Sequence, residues 1–221
     1  MNLLLIVLQF VSIAKPSPYV QALGQEWYDA VATLHENQPI HQQEMEACGC
    51  DVVMVQAIMF PEFIRFNGIS NLIETEILEE FYVSGGSAAA DFSIGQAQIK
   101  PSFAEFIETT DPTHTILPPY TSGGETVRRQ RLDRLQNFAW QYRYVCAFTK
   151  ALARRFPELA EAGGPEWVGF LASAYNLGPE SSEGAIRDWM QVRAFPHGTR
   201  YQGDQFSYTE LARWYYQQHT R

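Results

Sequence analysis

The sequence predicts a mainly α fold with one small extended region near residues 90–100. Three observations carry this. Apolar residues recur three and four apart over most of the chain, the spacing of helices with one buried face. Prolines and glycines fall between these runs and not inside most of them. Strand-like alternation is confined to Phe92 and Ile94, then Ala97 and Ile99, which predicts short extended pieces or a small β-ribbon.

Taken in order, residues 19–37 read as a helix with Val20, Leu23, Trp27, Ala30, Val31 and Leu34 on its inner side, closed at Pro39. Residues 42–47 make a further helical turn. Asp51 is a natural N-cap for the next run, VVMVQAIMFPEFIRF, which is apolar on nearly every side and so predicts a central, buried helix. Pro61 lacks the N–H of the helical ladder and is expected to kink or close it, placing Glu62 at a helix break. Residues 67–70 read as a turn. Residues 73–83 predict a helix with Ile73, Ile77 and Phe81 inward and Glu76, Glu79 and Glu80 outward. Pro101 opens another helix. Residues 109–124, TTDPTHTILPPYTSGG, are a loop, either a lid or a connector. A long helix is expected from Glu125 until Pro157, with Leu132, Leu135, Ala139, Tyr142, Cys146, Thr149, Ala153 and Phe156 along its buried face. Residues 166–176 form the next helix, ended by Gly178-Pro179. A short helix over 185–190, a loop over 193–205 and a terminal helix over 208–218 complete the chain.

The totals set bounds. The 221 residues suit one domain of ordinary size, residues 15–221, and the 46% apolar content is that of a folded protein. A net charge of −9 argues against sequence-independent nucleic-acid binding, which needs a basic surface. Acids dominate residues 61–111 and bases dominate 125–156, which reads as two solvated faces that pair partly in the fold or, alternatively, as a basic rim attracting an anionic polymer. Residues 1–14, MNLLLIVLQFVSIA, are too short to span a bilayer and fit a signal peptide ending in Ser-x-Ala. Export to the periplasm or beyond is therefore expected, with no membrane span; the alternative is a buried first helix and a cytoplasmic chain. Three cysteines cannot all pair. Cys48 and Cys50 are too close in sequence to bond each other without strain, and one of them can reach Cys146. No metal-ligand spacing accompanies them, and no metal or cofactor is expected.

Two features carry candidate chemistry. Glu62 follows ten residues in which Gln56 is the only polar one. A carboxyl against apolar walls keeps its proton, as a general acid must. Taken alone, a glutamate at a helix end is more simply a solvated residue. Then Gly95-Gln96-Ala97-Gln98 reads as a turn in which Gly95 lets the backbone approach a ligand or another segment.

AIMFPEFIRF, DFSIGQAQIKPSF and SAYNLG, in this order, resemble the lysozyme-like fold of lytic transglycosylases and goose-type lysozymes. That family carries a catalytic glutamate at a helix end, then a Gly-x-x-Gln segment, then Ala-Tyr-Asn-x-Gly. The matching positions are Glu62, then Gly95 and Gln98, then Tyr175 and Asn176. The family's serine after the acid is Phe63 here, the glycine turn is more polar, and residues 67–90 form an insert. The resemblance implies a lysozyme-like domain whose substrate is the peptidoglycan glycan strand. Cleavage would fall on the β-1,4 bond between N-acetylmuramic acid and N-acetylglucosamine. Glu62 would protonate the leaving oxygen, then take the proton of the sugar's own 6-hydroxyl, leaving a 1,6-anhydro product. Tyr175 would orient Glu62 or stabilise charge, and Gly95, Gln98 and Asn176 would hold the sugar. The plainer alternatives are a core tyrosine and capping amides. Asp91 and Glu74 are the candidates for a second carboxylate, which would make the enzyme a muramidase or chitosan-type hydrolase. A non-catalytic glycan-binding wall protein is the reading from another class.

Overall fold

Asp51 sets the start of the helix on which the fold is built: its Oδ1 accepts the Met54 N–H at 2.8 Å. In the computed structural model, residues 17–66, 72–111, 114–198, 200 and 202–220 are described, with backbone alone for 72–75. The expected leader over 1–14 and the expected turn over 67–70 lie outside the described residues. Among those described, the order is α1 (Pro18–Glu36), α2 (Gln38–Cys48), α3 (Val52–Arg65), α4 (Leu72–Gly85), α5 (Pro101–Thr110), α6 (Gly124–Gln136), α7 (Phe138–Arg155), α8 (Pro157–Ala162), α9 (Gly164–Leu177), α10 (Glu183–Trp189) and α11 (Tyr208–His219). The fold is mainly α, as the spacing of apolar residues predicts. None of these helices is long and apolar enough to cross a membrane.

The apolar run of α3 has the consequence its composition demands. Nine of its fourteen residues are buried, and it packs against α1, α7, α9 and α11. Phe60 meets Trp27 of α1 edge-on at 4.8 Å and Tyr215 of α11 at 4.5 Å, so one ring joins three helices. α11 lies across α9 and α3, which brings the chain's last helix onto its third. The start of α11 is held by a capping box: Ser207 Oγ accepts the Glu210 N–H while Glu210 accepts the Ser207 N–H. Cys50 and Cys146 form a disulfide that fastens the residues before α3 to α7, and Cys48 remains a buried thiol.

Several expectations are corrected. Pro61 does not end α3, which continues to Arg65, and Glu62 sits in its last turn. Pro61 merely leaves the Ala57 carbonyl without its helical donor, a loss that packing on all sides of the helix outweighs. The long helix expected from Glu125 is two helices. Asn137 divides them, its side chain accepting the Trp140 N–H at 3.2 Å as the N-cap of α7. α7 does end just before Pro157, as expected, and Pro157 opens a further short helix, α8. α4 is rotated from its expected face: Ile77 and Phe81 are 57% and 55% exposed, while Tyr82 and Val83 are buried. The reason is polar, since the Tyr82 hydroxyl donates to Glu105 at 2.9 Å and accepts from Arg131. Val31 is likewise exposed on α1. The extended region is a single antiparallel bridge, Ile94 to Ile99, and Phe195 to Phe206 makes another that the sequence does not suggest.

The basic stretch is taken up in cross-links. Buried Arg131 donates to Glu108 and Glu105 of α5. Tyr120 and Tyr144 add their hydroxyls to Glu108. Arg143 pairs with Glu44, Arg129 with Glu80, and Arg128 and Arg155 donate to carbonyls of residues 83–84 and 179–180. Arg128, Arg129 and Arg131 join α6 to the acidic part of the chain, while Arg143 and Arg155 tie α7 to α2 and to the residues after α9.

The disulfide spans 96 residues. Closing so long a loop stabilises by about 2–5 kcal/mol. Cys50→Ser is expected to lower the urea-unfolding free energy by about that amount; an unchanged midpoint would show that the cross-link carries no stability.

Candidate active site

The last turn of α3 aims Glu62 into a cavity instead of solvent. Its residue is 5% exposed. The Tyr208 hydroxyl, at the first residue of α11, donates to Glu62 Oε1 at 2.9 Å. Arg65, one helical turn on, brings its Nη1 to 3.6 Å from Glu62 Oε2, and the same nitrogen donates to the Tyr208 hydroxyl at 2.7 Å. Burial pushes the Glu62 carboxyl above the ordinary glutamate range. Arg65, the Tyr208 and Asn176 side chains and, more weakly, Lys100 pull it back without cancelling that rise. Burial also pushes the Tyr208 hydroxyl up, so it remains a donor.

Facing Glu62 is the turn that begins at Gly95. Ile94 and Ile99 exchange both backbone hydrogen bonds, at 2.9 and 3.1 Å, and Gly95 to Gln98 close the turn between them. Gly95 has φ +67°, and a Cβ there would stand 1.6 Å from the Gln141 side-chain nitrogen. Only glycine fits. Gln141, 1% exposed on α7, holds this turn: its Oε1 accepts the Ala97 N–H at 3.0 Å and its Nε2 donates to the Leu135 carbonyl at 2.6 Å. Tyr175 of α9 donates to the Ala97 carbonyl at 2.7 Å. Both polar groups of the buried Ala97 peptide are thus met by side chains from two other helices, as burial requires.

Glu62, Gln98, Tyr175 and Asn176 line one cleft of about 390 Å³, together with Arg65, Asp91 and Lys100. Their roles within it differ from those expected by resemblance. The Tyr175 proton goes to the turn and not to Glu62, and Tyr208 makes the bond to the acid instead. Gln98, at φ +54°, lines the cleft and donates its amide to the Gly95 carbonyl at 2.8 Å, a bond in which its side-chain oxygen takes no part. Asn176 Oδ1 accepts the Trp189 indole N–H at 2.9 Å, so its amide nitrogen is the end presented to Glu62 and the cleft. Asp91 reaches the same cleft, but its two oxygens accept the Ser102 N–H and hydroxyl at 2.9 and 2.8 Å, and Lys100 is 3.9 Å away. It caps α5. Glu74 lies on α4, and its side chain is outside the described residues.

Tyr208 and Arg65, which contact Glu62, and Gln141, which braces the turn, are residues that the sequence does not single out. Tyr208 contacts Glu62 across 146 residues, and no local spacing marks such a pair. For Gln141 a signal exists: a glutamine among apolar residues on a helix's inner face needs partners. No family model, no curated protein and no solved structure matches this chain.

Two expectations follow from this geometry. Below pH ~4 the Glu62 carboxyl is neutral in folded and unfolded chains alike and costs nothing. Above that the unfolded chain ionises while burial keeps the folded carboxyl protonated, so stability falls as pH rises until the folded group ionises too. Glu62→Gln removes this titration, and its Tm should gain on the wild type as pH is raised toward neutral; parallel curves would contradict the burial. Gly95→Ala should cost roughly 2–4 kcal/mol in urea unfolding, through backbone strain and displacement of Gln141; a cost under about 1 kcal/mol would show that the turn is not braced as described.

Proposed function

We propose that the chain is a lysozyme-like lytic transglycosylase, exported to the cell wall, that cleaves peptidoglycan strands between N-acetylmuramic acid and N-acetylglucosamine. The observation that supports this best is the convergence of Glu62, Gln98, Tyr175 and Asn176 on one cleft. These come from three separate stretches of the sequence, and they are four of the five residues that the resemblance to that family singles out; the fifth, Gly95, does not line the cleft but lies against Gln141.

The chemistry asks for a protonated acid beside the glycosidic oxygen and for stabilisation of an oxocarbenium-like transition state. A buried carboxyl with a raised pKa suits the first task. Its proton passes to the leaving oxygen as the C1–O bond breaks. The carboxylate left behind keeps the hydrogen bond from Tyr208 and the charge of Arg65 nearby, and so can take the proton from the 6-hydroxyl as O6 bonds to C1. The Gln98 oxygen and the Asn176 amide would meet hydroxyl and acetamido groups. A route with Asp91 as the second carboxylate is less well supported, because both its oxygens are engaged by Ser102.

Digestion of purified sacculi followed by mass analysis tests this. The transglycosylase releases muropeptides lighter by one water than hydrolysis products, whereas a hydrolase leaves reducing ends. Glu62→Gln should lower release by roughly 10²–10⁴-fold. Binding without release by the wild type would instead mark a glycan-binding wall protein, and unchanged release by the variant would remove Glu62 from the mechanism.

A further inference from the structure

Arg65 is an unexpected neighbour for a general acid. A cation close to a carboxyl favours its ionised form, which opposes what burial does for the first proton transfer. The most economical reason to keep it is the second transfer, in which the same side chain must act as a base. We propose that Arg65 is the positioning residue for that return step: it fixes the Tyr208 hydroxyl and balances the charge that appears on Glu62 once its proton has left. This rests on the reading of Glu62 as acid and then base.

The geometry supports both parts. A tyrosine hydroxyl has one proton to aim. Arg65 Nη1 donates to the Tyr208 oxygen at 2.7 Å, so that proton is directed to Glu62 Oε1, 2.9 Å away. Arg65 Nη1 is also 3.6 Å from Glu62 Oε2, close enough to stabilise a charge there without holding that oxygen in a hydrogen bond. Arg65 thus leaves Oε2 able to give and take the proton, and the further hydrogen bond to the carboxyl comes from the neutral Asn176 amide. The Arg65 side chain is 44% exposed and lines the cleft, so it can follow this charge without being buried unpaired. The other charged and titratable groups facing Glu62 are differently engaged. Tyr175, from α9, donates to Ala97, and Asn176 beside it is neutral. Lys100, at the head of α5, lies 3.9 Å from Asp91. Glu180 lines the cleft beyond α9.

The test uses the full chain with ¹³C-labelled glutamate, the Glu62 carboxyl signal being assigned by its loss in Glu62→Gln. In Arg65→Gln that signal should titrate at higher pH than in the wild type. Release of anhydro-muropeptides should fall about tenfold, the worth of one hydrogen bond to a charged group, and the alkaline edge of the pH–rate profile should move up with the titration. Arg65→Lys keeps the charge but not the planar fork, so it should titrate near the wild type and still lose part of the turnover. An unmoved titration in Arg65→Gln, or full turnover in either variant, overturns the proposal. Should Arg65→Gln not fold, Arg65→Lys decides it by the same two readings. A wild type that releases no anhydro product would sink the functional reading instead, while the titration, which needs no substrate, would still report whether Arg65 holds the carboxylate.

Discussion

A carboxyl group has been placed on a helix that is buried on nearly every side. That constraint governs the architecture around it. α3 can lie at the centre only because its residues are apolar almost throughout, and Glu62 can lie in its last turn only if it is protonated or met by donors. The donors come from far along the chain. α11 crosses α3 and sets Tyr208 against the acid, and α9 beside it brings Asn176 to the same place. The course of the C-terminal helices is thus bound to the needs of one side chain near residue 60.

The opposite wall obeys a second requirement of the same kind. A turn pushed into the interior must have its peptide groups satisfied. Ala97 is buried completely, and Gln141 and Tyr175 take its N–H and its carbonyl. Gln141 also takes the Leu135 carbonyl, one of those that the end of α6 leaves open. The break between α6 and α7 is therefore coupled to the placing of the turn, and the missing side chain at Gly95 is what lets Gln141 reach it.

Much of this was legible in the residues, for reasons that can be named. α3 and its acid stand out because ten nearly unbroken apolar residues precede Glu62, a pattern that has one physical reading. Leu23, Trp27, Ala30 and Leu34 show their inner face by period alone. What period cannot decide is a contest between two faces of one helix. On α4, Ile77 and Phe81 make as good a stripe as Leu78 and Tyr82 do, and the choice is made by Arg131 and Glu105 from elsewhere. Pro61 and Asn137 mislead in opposite ways. The proline is overruled by packing, while the asparagine, locally unremarked in a helical run, divides it by capping. The roles of Tyr175 and Tyr208 were the least accessible. Both are buried tyrosines that donate from their tips, and which partner each meets depends on contacts across 78 and 146 residues.

The link between Cys50 and Cys146 gives the cleft two walls of different kind. It closes residues 50–146 into a covalent ring, and that ring holds Glu62, Arg65, the turn at Gly95, α5 and Gln141. Tyr175, Asn176 and Tyr208 lie beyond it, on a tail that meets the ring through packing and hydrogen bonds alone. In mechanical terms the acid, Arg65 and the turn at Gly95 share a closed frame, and Tyr208 and Asn176, which donate to the acid, ride on an unlatched arm. Parting α3 from the α9–α11 pair would break no covalent bond, but it would cost the Tyr208–Glu62 and Arg65–Tyr208 hydrogen bonds and the contact of Phe60 with Tyr215, so these keep the two walls together at the acid.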